Sequence, residues 1–351
     1  MYILLKEYEA GYGGISMQEL ERIALEQYCM TVINARKIRG AVLCNTDQGI
    51  YLLKETNVPK QRLKVLAALY EYLKEQSWCT VDEMVKNKEG EYITEAEGKA
   101  SYIVKKWYTG KECDLRKPAE ILEATGILAK LHLFMRREIE GMKTNLEDMP
   151  IKLYERHNKE LKKVRKFVRK MSPKGEFEYT FLQNFENMYC WAEAAEELLN
   201  GFDYDTYYQE AVNRKSLVHG EYNYHNILMR DVGNSDESIA ITNFDKAGYG
   251  IQIEDLYYFM RKTMEKHGWK DRIGDSMLNA YSAVNPLSRK DLEYLKIRFV
   301  YPEKFWKTAN AYYYSNKAWV SVKNMEKLEM AICQIKEKER FLYNIYQYKI
   351  E

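Results

Sequence analysis

His219-Gly-Glu-Tyr-Asn-Tyr-His-Asn226-Ile-Leu-Met229 is an island of loop and strand character in a stretch of chain that otherwise reads as helix. Leu217-Val218 before it and Asn226-Ile-Leu-Met229 within it are apolar runs too short for helices, and so predict short strands. A turn at Gly233-Asn234 leads to a further strand over Ser238 to Thr242, which runs on into Ile241-Thr-Asn-Phe-Asp245. Helices resume at about Glu254-Asp-Leu-Tyr257 and continue to Tyr348. Upstream, Pro118 leads into a helix over Ala119–Glu140, a very basic helix covers Leu153–Lys170, and another runs from about Phe177 to Leu199.

The first 110 residues have a different texture. Met17 to Met30 follows a Ser16 N-cap and carries Leu20, Ile23 and Ala24 at helical spacing. Lys37–Cys44 and Gly49–Glu55 flank Asn45-Thr-Asp-Gln48 and read as a β-hairpin. Pro59 opens a helix with Leu63, Leu66, Ala67, Tyr70 and Leu73 on one face. Tyr92-Ile-Thr94, a Glu97-Gly98 turn and Ala100 to Trp107 form a second β region. The expected class is therefore α+β: a small sheet-plus-helix lobe over residues 1–108, then a helical lobe over 109–351 that contains the segment 216–245.

Length and charge bound the function. A chain of 351 residues, 46% hydrophobic, buries a sizeable core without disulfide or metal staples. Its 54 lysines and arginines nearly cancel 52 aspartates and glutamates, so no polyelectrolyte partner is indicated for the chain as a whole. The basic run Lys159-Glu-Leu-Lys-Lys-Val-Arg-Lys-Phe-Val-Arg-Lys170 has no base-reading motif beside it, so no nucleic acid is expected and the run reads as a solvated or partner-docking face. A mean hydropathy of -0.57 and the lack of a long uncharged apolar run predict no membrane span. Met1-Tyr-Ile-Leu-Leu-Lys6 meets charge too early for a signal peptide. Six cysteines stand singly, at positions 29, 44, 79, 113, 190 and 333, so neither a zinc site nor a disulfide framework is expected. The 30 tyrosines are spread throughout and read as core and groove-edge residues.

The segment 219–257 resembles the aminoglycoside-phosphotransferase branch of the protein-kinase-like fold. That family carries an HGD-x-x-x-x-N catalytic loop, an I-D-[FW] metal-binding strand and a D-L at the start of the next helix. The wording is closer still to the CotS family of bacterial spore-coat proteins, rich in H-G-[DE]-Y-x-Y-H-N and F-D sequences. Gly49-Ile-Tyr-Leu-Leu-Lys54 resembles the strand bearing the family's nucleotide lysine, and Leu128-Ala-Lys-Leu-His132 an early helix of the large lobe. The resemblance implies a two-lobed fold, ATP and Mg²⁺ as cofactors if the protein is active, and spore-coat proteins as partners. It also implies synthesis in the mother-cell cytoplasm and deposition on the spore coat.

The resemblance assigns expected roles residue by residue. Lys54 would hold the nucleotide phosphates, steadied by Glu71 on the following helix, although an edge-strand lysine in water is the plain alternative. Asn226 would be a magnesium ligand, unless its side chain merely ties up the turn. His219 and Asp255 would support the loop, the aspartate by accepting its backbone N–H groups. Two departures fall on the central positions. Glu221 stands where the family has its catalytic aspartate, which moves the carboxylate by about 1.5 Å. Asn243 stands at the metal-binding aspartate and lacks the charge that draws magnesium; Asp245, two residues on, is the candidate to replace it. The hairpin Asn45-Thr-Asp-Gln-Gly49 has a single glycine where phosphates usually need several. Two readings stay open: a degenerate phosphotransferase (a pseudokinase) used as a structural or binding component, or an active ATP-dependent kinase. The second would phosphorylate a small hydroxylated or amino-sugar acceptor, with Glu221 as base.

Overall fold

The computed structural model describes residues 18–78, 80–144, 150–230, 238–315 and 322–350. The Met1–Lys6 segment, the Ser16 cap, Cys79 and the Gly233-Asn234 turn lie outside the described residues. The chain divides into two compact units: one of the described residues up to Glu112 with Ile139–Met142 and His225–Asp245, the other of Cys113–Glu138, Lys143–Tyr224 and the described residues from Lys246 onward.

The first unit begins with α1 (Glu19–Glu26), shorter than the expected Met17–Met30. The Glu21 carboxylate accepts the Gln18 N–H at 2.8 Å, the glutamate half of a capping box. Next come β1 (Val32–Ile38), β2 (Ala41–Thr46), β3 (Gly49–Glu55), α2 (Lys60–Glu75), β4 (Thr80–Val81), β5 (Glu83–Val85), β6 (Thr94–Ala96), β7 (Ala100–Lys106) and β8 (Lys111–Glu112). The main sheet has the order β1-β2-β3-β7-β5, with β6 also on β7, and every pairing is antiparallel.

The hairpin forms as expected around Asp47-Gln48, with Thr46 opposite Gly49. The single strand expected over Lys37–Cys44 does not form. Arg39 (φ 43°) and Gly40 (φ 76°) turn the chain between Ile38 and Ala41, splitting the run into β1 and β2. Two successive positive φ values suit a tight hairpin turn whose twist matches the strands; an arginine at such a position gives little warning of it. Leu63, Leu66, Ala67, Tyr70 and Leu73 of α2 are all buried, as their spacing predicts. A second cluster, including Leu25, Tyr28, Val42, Leu53 and Val104, fills the space around α1 and the sheet.

The second unit opens with α3 (Pro118–Phe134), α4 (Pro150–Lys170), α5 (Glu176–Asn200), α6 (Tyr204–Asn213) and β9 (Leu217–Val218). The helix expected to reach Glu140 stops at Phe134, because Met135 O accepts the Leu217 N–H at 2.8 Å and Arg136 bridges to Ser216. Extended backbone there is satisfied by a strand-like partner. The chain then supplies β10 (Ile227–Met229) and β11 (Ile239–Ile241), which with β9 are the three strands anticipated in the segment 216–245. They belong to the first unit, in a small sheet of order β4-β11-β10-β8. After β12 (Gly248–Tyr249), which pairs with β9, the second unit is completed by α7 (Ile253–Lys266), α8 (Asp271–Ser282), α9 (Arg289–Val300), α10 (Glu303–Tyr313), α11 (Val322–Cys333) and α12 (Ile335–Tyr346).

Six of the largest fully buried side chains are tyrosines, Tyr28, Tyr154, Tyr222, Tyr281, Tyr294 and Tyr301. Buried phenols need partners, and these find them: Tyr222 donates to Ala124 O at 2.7 Å, Tyr301 to Asn158 Oδ1 at 3.1 Å, and Tyr294 to Glu254. The tyrosine excess is thus used for core packing at these positions.

Candidate functional site

In the first unit, Lys54 occupies a central strand of the main sheet, β3, between Ala41 of β2 and Ile103 of β7. Its Nζ donates to Asp245 Oδ2 at 2.7 Å and to Asn243 Oδ1 at 3.0 Å. Those two residues flank Phe244, which is fully buried and meets the Tyr70 ring edge to face at 5.6 Å. The phenylalanine pins the turn, so both polar side chains emerge at fixed positions. Asn243 has a φ of 68°, a left-handed conformation that asparagine tolerates better than most residues. Its N–H donates to Asp82 Oδ2 at 2.6 Å. Asn226 reaches this turn through its backbone, its carbonyl accepting the Thr242 N–H at 2.9 Å.

A second lysine, Lys105 of β7, is 3% exposed and lies between two carboxylates. Its Nζ is 2.8 Å from Asp82 Oδ2 and 3.0 Å from Asp245 Oδ1, over the Tyr70 ring. Burial alone would neutralise Lys105, but Asp82, the Tyr70 hydroxyl and Asp245 outweigh it and hold the ammonium well above its ordinary pKa. Burial would likewise raise Asp245; Lys105 and Lys54 outweigh it and keep the carboxyl far below the usual carboxylate range. Asp245 therefore stays ionised with each oxygen committed to a lysine. Lys105 and Asp82 escaped the sequence reading. The available signal was a lysine inside Tyr102-Ile-Val-Lys105, a run buried on both faces, where a charge demands a paired countercharge.

The pair expected between Lys54 and Glu71 does not form. Glu71 is exposed on α2, and its Oε1 accepts from the Tyr92 hydroxyl at 3.3 Å. It follows buried Tyr70 by one residue, and a helix turns about 100° in that step, away from the docked stripe. The carboxylate that meets Lys54 is Asp245.

In the second unit, Asp255 near the start of α7 organises the His219-Gly-Glu221 loop. Its Oδ2 accepts the His219 N–H at 2.6 Å and its Oδ1 the Gly220 N–H at 2.9 Å. His132 Nε2 lies 3.3 Å from Asp255 Oδ2, while its Nδ1 is 2.7 Å from the Tyr281 hydroxyl. Burial lowers the His132 pKa more than Asp255 raises it, which favours the neutral ring. His219 is itself buried, and its Nδ1 accepts the Glu221 N–H at 3.1 Å. Gly220 has a φ of 80°, and a Cβ there would stand 2.5 Å from Lys246 O, so only glycine fits. Glu221 is half-buried, with Oε1 3.3 Å from Lys246 Nζ. His225, in contrast, belongs with the first unit and pairs with Glu112 at 2.7 Å.

As a magnesium site the donor set fits poorly. Mg²⁺ wants anionic oxygens free to complete an octahedron. Asp245 gives both oxygens to lysines, and Asn243 offers an uncharged amide already accepting from Lys54. Asp82 Oδ1 is the one carboxylate oxygen of the cluster without a partner, and it is buried. Among the described residues, no group of three or more His, Cys, Asp or Glu side chains could hold a metal ion.

The sheet-borne Lys54 thus meets an Asn-Phe-Asp turn in the first unit, and the second carries a His-Gly-Glu loop buttressed by Asp255. The aminoglycoside phosphotransferase of Alicyclobacillus acidocaldarius subsp. acidocaldarius DSM 446 matches this structure with a TM-score of 0.80 over 98% of both chains, at 14% identity. Spectinomycin phosphotransferase APH(9)-Ia, solved with ADP and spectinomycin, matches with a TM-score of 0.62 over 92% of this chain and 99% of that one, at 12% identity. At such identities the likeness is one of fold, and it makes the class two-lobed and kinase-like: an antiparallel-sheet N-terminal part and a helical C-terminal part. Within that class the chain belongs to the family described as "Spore coat putative kinase YutH", whose model matches residues 21–345. Spore coat protein S of Bacillus subtilis (strain 168) is 23% identical over 302 residues, 85% of this chain and 84% of that protein. The CotS-like resemblance of the 219–257 segment is thereby borne out.

Proposed function

We propose that this member of a spore-coat kinase-like family is a degenerate phosphotransferase that serves the coat as a structural or binding component. The observation that carries the reading is the neutralisation of Asp245. Phosphoryl transfer needs a cation for the nucleotide phosphates and carboxylate oxygens for the metal that bridges them. Here the candidate cation, Lys54, and the candidate metal carboxylate, Asp245, are bonded to each other, and Lys105 holds the other Asp245 oxygen. Asn243 supplies no replacement charge. Spore coat protein S lends the coat association, with other coat proteins as the partners and the spore coat as the location. No helix among the described residues is long and apolar enough to cross a membrane.

A second reading, an active ATP-dependent kinase with Glu221 as base, is favoured by one observation: the loop scaffold of Gly220, His219 and Asp255 is intact. A neighbour solved with ADP makes ATP the natural nucleotide to try. Thermal-shift titration with ATP, with and without Mg²⁺, separates the two, because a ligand that binds only the folded state raises its apparent stability. We expect weak magnesium-dependent binding and slow transfer in the wild type. Asn243→Asp should strengthen magnesium-dependent binding about tenfold to a hundredfold, the worth of one recovered charge near a partly buried dication. Tight Mg·ATP binding by the wild type, lost in Asp245→Asn, would overturn the degenerate reading and make Asp245 a metal ligand.

A further inference from the structure

A cavity of about 500 Å³ in the helical unit opens between α7, α10 and α11, with Leu115 and Tyr224 also on its wall. The volume is that of a small-molecule site. Its charge is unusual for a chain whose net charge is only +2. Arg261, Lys262, Lys266, Lys304, Lys307 and Lys327 line it, and Glu265 is its sole carboxylate among the described residues. That carboxylate is already shared, 2.6 Å from Arg261 and 3.8 Å from Lys304. Lys307 is held at 2.9 Å by Glu303, which does not line the cavity. Lys262, Lys266 and Lys327 form no ion pair among the described residues.

Like charges converging on a half-enclosed space raise one another's energy, and their proton affinities register it. Burial depresses the Lys262 pKa, and Arg261, Lys307 and Lys304 depress it further, with only Glu265 opposing. Lys304 is lowered by burial, against Glu265 but with Arg261, Lys266 and Lys327 adding to the effect. An anion in the cavity would relieve both.

We propose that this cavity binds a small polyanion, an organic molecule carrying two or more phosphate or carboxylate groups. The cations come from three helices around the opening, so a single anionic group cannot meet them all, whereas a di- or trianion can. Leu115, Ala311 and Met330 give the carbon body of such a molecule an apolar surface. The same charges disfavour an amino-sugar occupant, whose ammonium groups would face six cations. The inference does not depend on the nucleotide reading, because every lining residue belongs to the helical unit.

Calorimetric titration of the full chain tests it, with fructose 1,6-bisphosphate and citrate as probes and with glucose and spermidine as comparators. Both anions should bind with dissociation constants at or below about 1 mM, more weakly as salt rises, and neither comparator should bind. Lys266→Glu and Lys327→Glu alter exposed side chains with no ion pair among the described residues, so the fold should survive them, and each should weaken anion binding by about tenfold. Lys54→Ala should leave anion binding unchanged, which keeps this outcome separate from failure of the nucleotide reading. Absence of heat from both anions at millimolar concentration would overturn the proposal. So would binding lost in Lys54→Ala but kept in the two charge reversals, or a preference for spermidine.

Discussion

Replacing Lys105 with methionine removes the one ammonium that separates Asp82 from Asp245. Methionine fills similar space without charge, so the loss is electrostatic rather than a cavity. Asp82 is 1% exposed and Asp245 17%, and Lys54 remains to compensate Asp245 alone. Removing one partner of a buried ion pair costs about 3–5 kcal/mol, and the remaining Lys54 contact argues for the lower end, near 3 kcal/mol. For 351 residues unfolding together, that corresponds to a fall of roughly 4 °C in the unfolding midpoint.

The pH dependence carries the sharper test. Asp245 has its folded pKa depressed, so its contribution is complete above the unfolded value of about 4 and is lost as pH falls through the folded one. Lys105 has its folded pKa raised, so its contribution is complete below about 10 and is lost only as pH climbs past that. Between about pH 5 and 9 the contributions of Asp245 and Lys105 are therefore insensitive to pH. In the variant, Asp245 loses one of its two lysines beside the buried Asp82 carboxylate, and its proton affinity rises. The penalty should shrink on moving from pH 7 to pH 5, and adding Asp82→Asn should recover part of it. Differential scanning calorimetry at both pH values reads all three quantities. A loss below about 1 kcal/mol at pH 7, or a penalty unchanged at pH 5, would refute the assignment of Lys105 as the bridge.

Two further outcomes follow from the same contacts. Gly220→Ala forces a Cβ against Lys246 O in a left-handed backbone, and should destabilise the helical unit by about 2 kcal/mol or more, seen as an earlier thermal transition. Glu71→Ala touches an exposed side chain whose bond is to Tyr92, so the melting midpoint should stay within about 2 °C; a larger fall would show that Glu71 supports the sheet after all.

What was legible in the sequence had local causes. The α2 stripe follows from 3.6-residue spacing behind a proline, and the strands of segment 216–245 from apolar runs too short to be helices. The Asp255 contacts to His219 and Gly220 span 36 and 35 residues, yet the family pattern carries them because both ends of the bond lie in its motif. The Lys105 bridge had no such aid. It depends on β5 pairing antiparallel with β7 and on β4 pairing parallel with β11, registers set by tertiary packing. Asp82 sits between two of those short strands, and nothing in Thr80-Val-Asp-Glu83 announces a buried carboxylate. The Glu71 expectation misplaced the countercharge for a related reason. Helical phase alone put it near the docked face of α2, whereas the Asn243-Phe-Asp245 turn delivers a carboxylate directly.

The two groups of cations differ in what an incoming anion must displace. Lys54 already has two oxygen partners, one of them a carboxylate at 2.7 Å fixed on a turn that buried Phe244 anchors. A phosphate arriving there competes with an intramolecular anion that is always at hand, and the favourable contact it gains is offset by the one it breaks. If the lysine does let go, Asp245 still has Lys105, so the released carboxylate remains neutralised and gives a metal little to hold. The cavity lysines Lys262, Lys266 and Lys327 have no ion pair among the described residues to surrender, so an anion there displaces no intramolecular carboxylate. Charge pairing therefore favours anion capture by the helical cavity over anion capture at the sheet lysine.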